Sequence, residues 1–277
     1  MANPPSVFTV EIAGRHWRIG AAGRDLSIPL AFDAPQPTFF GAPPAAATVI
    51  AAGSFVGDVR RGGSCNCSTY TLTPHCNGTH TECVGHVTAE RVSVRDRSSE
   101  HFSAALLVSV EPVSAEHTAE TSEPAPAAGD RLITRTSLAA AVGPYDPSHY
   151  RALVVRTLPN DAAKLRRDYD NGPPAAFFSA DAMRWIVDHG ITTLVVDLPS
   201  LDRANDGGRL TAHRIFWGLP PGATTAAHAA RPTATVTELA FIDDSIADGH
   251  YVLNLQVAPF VADAAPSRPI LLPLTPS

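Results

Sequence analysis

The sequence predicts a single α/β domain built on a mixed, partly barrel-like β-sheet with few flanking helices. Many short segments alternate apolar and polar residues or form apolar runs of strand length, whereas only two or three segments have helical periodicity. One strand, helix, strand unit implies parallel pairing in part of the sheet. The 277 residues, of which 44% are hydrophobic, can bury a large core. We therefore expect residues 1–277 to form one domain.

The first third of the chain is predicted to form short strands separated by loops. Residues 6–19 alternate in the manner of a β-hairpin that turns around Ala13 and Gly14. Residues 31–46 are rich in Pro and Ala and have no periodicity, which predicts a loop that can cover a pocket or pack on the surface. The aromatic residues expected to be exposed in this loop are Phe32, Phe39 and Phe40. Further strands are predicted at residues 25–30, 49–53 and 68–73.

Longer elements are predicted in the remainder of the chain. Residues 102–110 are an apolar run of strand length, and residues 112–130 have the Glu, Ala, Ser, Thr and Pro composition of an exposed insertion. Ser179 is predicted to cap a helix over residues 180–188, and a strand at residues 191–196 follows it. The other predicted elements are a helix that begins at Ser137 and extends to residue 142, and strands at residues 131–134, 151–157, 236–239 and 249–274.

Charge and composition exclude several function classes. The net charge of −6 is modest, and no run of Lys or Arg forms the electrostatic footprint that binds nucleic acid or an anionic membrane. The first residues lack a basic segment followed by an apolar run of signal-peptide length, and no stretch of about 18 apolar residues occurs. We expect a cytoplasmic protein that acts on a small molecule.

The four cysteines lie close together in the sequence. They are Cys65, Cys67, Cys76 and Cys83. Disulfides that stabilise a fold usually link distant segments, so this crowding favours a thiol or metal role. Cys65 and Cys83 can also be small buried hydrophobic residues, which is the commonest environment of free cysteine.

Residues 73–86, T-P-H-C-N-G-T-H-T-E-C-V-G-H, gather more metal-binding groups than any other stretch. These groups belong to His75, Cys76, His80, Glu82, Cys83 and His86. In an extended chain the even-numbered members would share one face, because successive side chains of a strand point to opposite faces. His75 would then point away, and a slip of one residue would exchange it with Cys76. The spacing indicates a metal site but leaves its geometry open.

This stretch resembles the core motif of the putative cyclase family, the group that includes bacterial kynurenine formamidases and isatin hydrolases. The family motif is usually written H-x-G-T-H-x-D-x-P-x-H. Gly78, Thr79 and His80 match its G-T-H. Glu82 falls on the aspartate, and His86 and Cys76 fall on the last and first histidines.

More distant segments carry the same resemblance. D-L-S at residues 25–27 and D-L-P-S-L-D at residues 197–202 are similar to the family's D-L-S and D-T-P-S-x-D. His213 matches the family's histidine after this second loop, and V-T-E-L at residues 236–239 places Glu238 on the family's ligand glutamate. The resemblance thus extends over most of the chain.

The resemblance implies a swivelling β/β/α fold with one or two divalent metal ions. The ligands that it assigns are Cys76, His80, Glu82, His213 and Glu238, and it assigns the acid/base role to His86. A thiolate ligand favours zinc over manganese, so Zn²⁺ is the expected ion and Mn²⁺ the alternative.

A metal-dependent hydrolase follows from these assignments. Metal-bound hydroxide would cleave an amide-type C–N bond, of the arylformamidase or cyclic amide and imide type, and His86 would move the proton. Lactone or ester hydrolysis and cyclisation are alternatives at the same site, and a non-catalytic zinc-binding or sensor protein is an alternative of another class. The exposed aromatic residues of the loop at 31–46 predict a homo-oligomer, either a dimer or a tetramer.

Overall fold

A computed structural model of the chain describes residues 8–97 and 100–277. Its strands are β1 Thr9–Ile12, β2 Arg15–Ile19, β3 Arg24–Asp25, β4 Ala46–Val49, β5 Ala51–Ala52, β6 Phe55–Val56, β7 Ser68–Thr71, β8 His80–Glu82, β9 Phe102–Val110, β10 Val113–Ser114, β11 Arg131–Ile133, β12 Ala152–Thr157, β13 Phe177–Phe178, β14 Thr193–Val196, β15 Thr235–Glu238, β16 Gly249–Val257 and β17 Ala264–Pro276. Its helices are α1 Pro74–Asn77, α2 Val94–Arg97, α3 Arg135–Val142, α4 Ala180–Asp188 and α5 Thr211–Trp217.

Seven strands close into a ring in the order β17, β16, β9, β12, β14, β15 and β8, because β8 also pairs with β17. β9, β12, β14 and β15 are mutually parallel, whereas β8, β16 and β17 join the ring through antiparallel pairs. β1, β2 and β3 extend the sheet from β17. The predicted single α/β domain with a mixed, partly barrel-like sheet and few helices is confirmed.

The parallel strands separate two apolar clusters, which explains their uninterrupted apolar sequence. Leu106 and Val108 of β9 belong to the larger cluster, which includes Met183 and Ile186 of α4. The alternate residues of β9, such as Leu107, belong to the second cluster, on the other face of the sheet. Strands buried on both faces need apolar residues at consecutive positions. The strands predicted at residues 102–110 and 151–157 are β9 and β12, and most of their residues are buried.

Two local predictions are confirmed in detail. β1 and β2 form the expected hairpin, and Ala13 and Gly14 both have positive φ angles, of 55° and 69°, as a type I′ turn requires. The first two residues of that prediction, 6 and 7, lie outside the described residues. Ser179 caps α4 by accepting a hydrogen bond from the Ala182 amide at 3.0 Å.

Two other local predictions are corrected. The helix predicted from Ser137 begins at Arg135, because Thr134 is the N-cap and Ser137 completes a capping box with it. The expected exposure is wrong for Phe39, which is 3% exposed and packs edge-on against Tyr169, and Phe32 is half-buried beside Tyr70. Of the three phenylalanines only Phe40 is largely exposed, at 64%.

Residues 112–130 lie along helices α3 and α4 rather than projecting from the fold. The Glu120 carboxylate accepts hydrogen bonds from the Arg135 amide and the Ser179 hydroxyl, and the Ala180 amide donates to the Thr121 carbonyl. That this segment is an insertion stays a prediction. In the described residues, no helix combines the length and the apolar character needed to cross a membrane.

Candidate metal centre

The side chains predicted to bind a metal converge where β8 and β15 pair. His80 and Glu82 are two residues apart on β8, so they share one face of the strand, and both are fully buried. Glu238, the last residue of β15, lies opposite His80 in the antiparallel register. His213 reaches the same point from α5, a short helix that the sequence did not predict. Four side chains from three elements thus meet in the protein interior.

The distances between these groups match a shared centre. His213 Nε2 lies 2.9 Å from Glu82 Oε1 and 3.3 Å from Glu238 Oε1. His80 Nε2 lies 3.5 Å from Glu238 Oε2. The predicted residues His80, Glu82, His213 and Glu238 are therefore brought together.

Each imidazole is held through the nitrogen that points away from the centre. His80 Nδ1 lies 3.0 Å from the Gly78 carbonyl oxygen, and His213 Nδ1 lies 2.7 Å from Asp202 Oδ2. A partner on one ring nitrogen fixes the tautomer and leaves the other nitrogen free to act as a ligand. In both residues the remaining nitrogen is Nε2, which faces the carboxylates.

Four buried atoms at this point have no hydrogen-bond partner in the described parts of the chain. They are His80 Nε2, His213 Nε2, Glu82 Oε1 and Glu82 Oε2. A buried polar atom without a partner costs about 1–3 kcal/mol, so such groups are normally paired or bound to a metal. The nitrogen and oxygen donors present suit zinc, manganese or iron. A divalent cation fits this site because it would satisfy all four atoms.

The pKa shifts within the cluster also indicate a site that requires positive charge. Burial would raise the pKa of Glu82, but the imidazoles of His86 and His213 outweigh it and hold that pKa well below 4.5. Burial would lower the pKa of His213, but Glu82, Asp202 and Glu238 raise it well above 6.5. Buried carboxylates need positive charge nearby. Protons on the imidazoles supply that charge unless a cation replaces them.

A second group of side chains, which are partly exposed, lies near the other carboxylate oxygen of Glu82, Oε2. His75 Nδ1 is 3.2 Å from Glu82 Oε2, and His75 Nε2 is 2.9 Å from Asp263 Oδ2. His86 Nδ1 lies 3.6 Å from both carboxylates. Burial lowers the pKa of His75, but the neighbouring carboxylates of Asp263 and Glu82 outweigh it and raise that pKa to about 10.

Cys76 does not join these groups, although the extended-chain interpretation directed it to the metal. That interpretation is wrong for residues 74–77, which form the helical turn α1, so strand alternation does not apply to them. Cys76 is 5% exposed and belongs to an apolar cluster with Ile28, Phe39, Tyr169 and Leu239. Burial, with Asp170 and Glu238 adding to it, raises the pKa of its thiol to about 11. The described clusters of possible metal ligands contain His75 in several combinations and Cys76 in none.

The other cysteines lie apart from the centre. Cys65 and Cys67 are exposed, so the alternative that Cys65 is a buried hydrophobic residue is wrong. Cys83 is fully buried, and its thiol donates to the Val92 carbonyl at 3.4 Å.

Sequence reasoning missed Asp202 and Asp263 as partners of histidines. Asp202 ends the D-L-P-S-L-D segment, and a loop followed by His213 was a usable signal for it. Asp263 immediately precedes β17, and no motif surrounds it. It reaches the site because β8 pairs with the start of β17.

A buried cluster of His and carboxylate side chains in a closed mixed barrel is an arrangement that could hold a divalent metal ion in an α/β protein, and the comparisons identify the family. The putative cyclase family model matches residues 24–203, well over half of the chain. The chain belongs to the putative cyclase family. The match ends before His213 and Glu238, so their place in the centre rests on the structure. A search of curated proteins found no match.

Solved structures share this fold at low sequence identity. A predicted metal-dependent hydrolase from Bacillus stearothermophilus aligns with a TM-score of 0.56 and 17% identity over 91% of this chain and 98% of its own. A novel cyclase aligns with a TM-score of 0.60 and 14% identity over 91% and 87%. Isatin hydrolase A from Labrenzia aggregata, bound to benzyl benzoate, aligns with a TM-score of 0.58 and 16% identity over 91% and 93%. At such identities these similarities establish the fold.

Proposed function

We propose that the protein is a divalent-metal-dependent hydrolase that cleaves an amide-type C–N bond of the arylformamidase or cyclic amide and imide type. The observation that carries this proposal is the convergence of four buried ligand atoms, from His80, Glu82 and His213, that have no hydrogen-bond partner among the described residues. Membership of the cyclase family and similarity in fold to an isatin hydrolase and a predicted metal-dependent hydrolase support it.

His80, Glu82, His213 and Glu238 are proposed to hold the ion. A bound divalent ion would polarise the scissile carbonyl group and lower the pKa of a coordinated water. We propose zinc or manganese, because imidazole and carboxylate ligands suit both ions and the thiolate that favoured zinc lies in the apolar cluster. Gly78 and Asp202 keep two of the imidazoles in the orientation that the ion requires.

His86 is proposed to carry the proton to the leaving amine. Its side chain is 26% exposed, so it lies at the border between the buried centre and solvent. Nδ1 is 3.6 Å from Glu82 Oε2, and the ring centroid is 5.4 Å from that of His213. An imidazole in this position can contact a substrate bound at the centre and exchange protons with water.

An apolar cluster adjoins the centre and is proposed to receive the body of the substrate. Leu239 follows Glu238 in sequence, and Cys76 follows His75, so both connect the cluster directly to the metal-binding residues. Phe39 and Tyr169 belong to the same cluster and are held together by backbone hydrogen bonds between Thr38 and the 167–169 segment. Aromatic and aliphatic side chains favour an aromatic or cyclic substrate.

The test combines metal analysis of the purified protein with a screen of N-formyl aromatic amines, cyclic imides and lactones. Stoichiometric Zn²⁺ or Mn²⁺ together with chelator-sensitive hydrolysis of an amide or imide is the expected result. Hydrolysis of lactones alone would replace the proposed bond with an ester. Metal binding without hydrolysis of any compound in the panel would contradict the proposed catalytic role and favour a binding protein.

Self-association as a dimer or tetramer also remains a proposal. Burial of Phe39 removes part of its original basis, but Phe40, Phe102 and Val261 are exposed by 64%, 65% and 76%. A contiguous apolar patch formed by such side chains would gain cover in an assembly. Sedimentation of a monomer alone at micromolar concentration would contradict it.

A further inference from the structure

We infer that His75, oriented by Asp263, is a ligand of the metal centre in place of residue 76, so that the centre contains imidazoles and carboxylates but no thiolate. This inference rests on the proposed function, because it concerns the ion that His80, Glu82 and His213 are proposed to bind. It departs from the family motif, which puts the corresponding ligand at position 76.

The first support is the helical turn that carries the two residues. Successive side chains on a helix point about 100° apart, whereas those on a strand point 180° apart. In α1 the amides of Cys76 and Asn77 both donate to the Thr73 carbonyl, at 3.0 and 3.1 Å. The turn therefore directs His75 toward Glu82 and leaves Cys76 in the apolar cluster.

Contacts at both ends of α1 fix its orientation about the helix axis. The Asn77 side chain accepts a hydrogen bond from the Thr73 amide at 2.6 Å and donates one to the Pro43 carbonyl at 3.1 Å. Pro74 occupies the first turn, where its fixed φ angle favours a helix. A rotation that brought the Cys76 thiol to Glu82 would break these contacts.

The second support is a repeated arrangement of histidine partners. Asp263 Oδ2 lies 2.9 Å from His75 Nε2 on one side of the ring, and His75 Nδ1 lies 3.2 Å from Glu82 Oε2 on the other. Asp202 and His213 have the same arrangement, with the nitrogens exchanged. A carboxylate behind an imidazole is the usual support of a metal-binding histidine.

The third support is the free oxygen that His75 faces. Glu82 Oε2 is fully buried and has no hydrogen-bond partner in the described residues, although His75 Nδ1 is only 3.2 Å away. The two atoms are close but not aligned as donor and acceptor. Once a cation displaces the proton from His75 Nδ1, the lone pairs of these two atoms are well placed to bind that cation together.

The test is Co²⁺ binding to the purified full-length protein, followed by absorption spectroscopy and by titration. The variants are His75→Ala, Asp263→Asn and Cys76→Ala. Cys83→Ala is the matched control, because it removes a buried thiol outside the centre. Circular dichroism identifies any variant that does not fold, and Asp263→Asn keeps the test decisive if His75→Ala is such a variant.

The expected result is a wild-type Co²⁺ spectrum without a thiolate-to-cobalt charge-transfer band. Asp263→Asn should weaken Co²⁺ binding by about 10–100-fold, His75→Ala should weaken it at least as much, and Cys76→Ala should bind as Cys83→Ala does. A charge-transfer band that disappears in Cys76→Ala would overturn the inference. Unchanged binding by the folded His75→Ala or Asp263→Asn variant would overturn it while the proposed function stands. Absence of Co²⁺, Zn²⁺ and Mn²⁺ binding by the wild type would overturn both.

Discussion

Asp202 Oδ2 lies 2.7 Å from His213 Nδ1, and the same carboxylate accepts hydrogen bonds from the backbone amides of Ala212 and His213 at 2.7 and 3.2 Å. One side chain therefore fixes both the start of α5 and the orientation of the imidazole that α5 delivers. The loop that carries Asp202 is itself tied to the centre, because the Leu201 amide donates to Glu238 Oε1 at 2.8 Å.

Replacement of Asp202 by Asn should weaken metal binding. The amide group has no charge to stabilise the His213 N–H, so we expect zinc affinity to fall by about 10–100-fold. Isothermal titration with Zn²⁺ measures the change. Asp206→Asn is the matched control, because Asp206 accepts hydrogen bonds from the Gly208 and Leu210 amides and does not contact His213. Equal losses in the two variants would show a general effect of the loop.

Replacement of Glu82 by Gln should remove the metal together with the activity. Glu82 contacts both groups of histidines through its two oxygens, and an amide cannot supply two anionic ligand atoms. Metal content by elemental analysis and hydrolysis rate are measured on the same preparation. Glu82→Asp, which restores the residue type of the family motif, should keep part of the metal. Full metal retention with loss of activity in Glu82→Gln would identify a general base instead.

His86→Ala should retain the metal while kcat falls by about 10²–10⁴-fold, the range of general acid–base catalysis. Rates are measured at saturating metal, so a lower kcat is separated from a lower occupancy. A large loss of metal affinity with a nearly normal kcat would show that His86 is a ligand or supports one.

Lys164→Met should destabilise the fold by about 3–5 kcal/mol, because it leaves a buried carboxylate unpaired. Lys164 Nζ donates to Asp197 Oδ2 at 2.7 Å and to the Thr157 carbonyl at 2.8 Å, and both charged residues are almost fully buried. Urea unfolding of the metal-free protein measures the loss. The exposed pair of Asp181 and Arg184, whose charged atoms are 2.9 Å apart, is the control, and Arg184→Met should cost at most about 1 kcal/mol.

His250 should make the metal-free protein less stable in acid. Burial, with Arg15 adding to it, lowers the pKa of His250 below 6.5, and burial raises the pKa of Tyr150 to about 12. Tyr150 therefore keeps its proton and donates to His250 Nδ1, which accepts only in the neutral ring. The stabilisation is present above the unfolded pKa of about 6.5 and is lost as the pH falls through the lowered folded value.

Thermal unfolding between pH 8 and pH 5 tests this prediction. The unfolding temperature of the wild type should fall more over this range than that of His250→Phe. His117→Ala removes an exposed histidine and should follow the wild type. Parallel curves for the wild type and His250→Phe would contradict the prediction.

The parts of the structure that follow from local sequence were predictable. The apolar runs of β9 and β12 have the length and composition of strands buried on both faces, and Ser179 placed the start of α4 to the residue. His80 and Glu82 were placed on one face because they lie on a strand. In these cases the nearest neighbours in sequence determine the conformation.

The features that the sequence did not predict depend on a very short helix or on contacts between residues far apart in the chain. A four-residue helix is too short to show periodicity. Pro74 at its start and the turn-forming pair Asn77 and Gly78 at its end were the local signals that the motif is not extended throughout. The burial of Phe39 is decided by Tyr169, and the role of Asp263 by the pairing of β8 with β17. Contacts across such distances leave no pattern in a single sequence.

The double pairing of β8 has a consequence for how each newly made chain matures. Its three residues pair with β15 on one side and with residues 264–266 of β17 on the other. The strand that presents His80 and Glu82 therefore lacks one of its two neighbouring strands until almost the whole chain has been synthesised. Chains extend from the N-terminus during synthesis, and long-range strand pairing is slow. Almost the entire polypeptide must therefore be made before the cluster around His80 and Glu82 can form. If this cluster holds the proposed ion, capture of that ion should be a late step in biogenesis, and a nascent chain halted before residue 264 should take up no metal with native affinity.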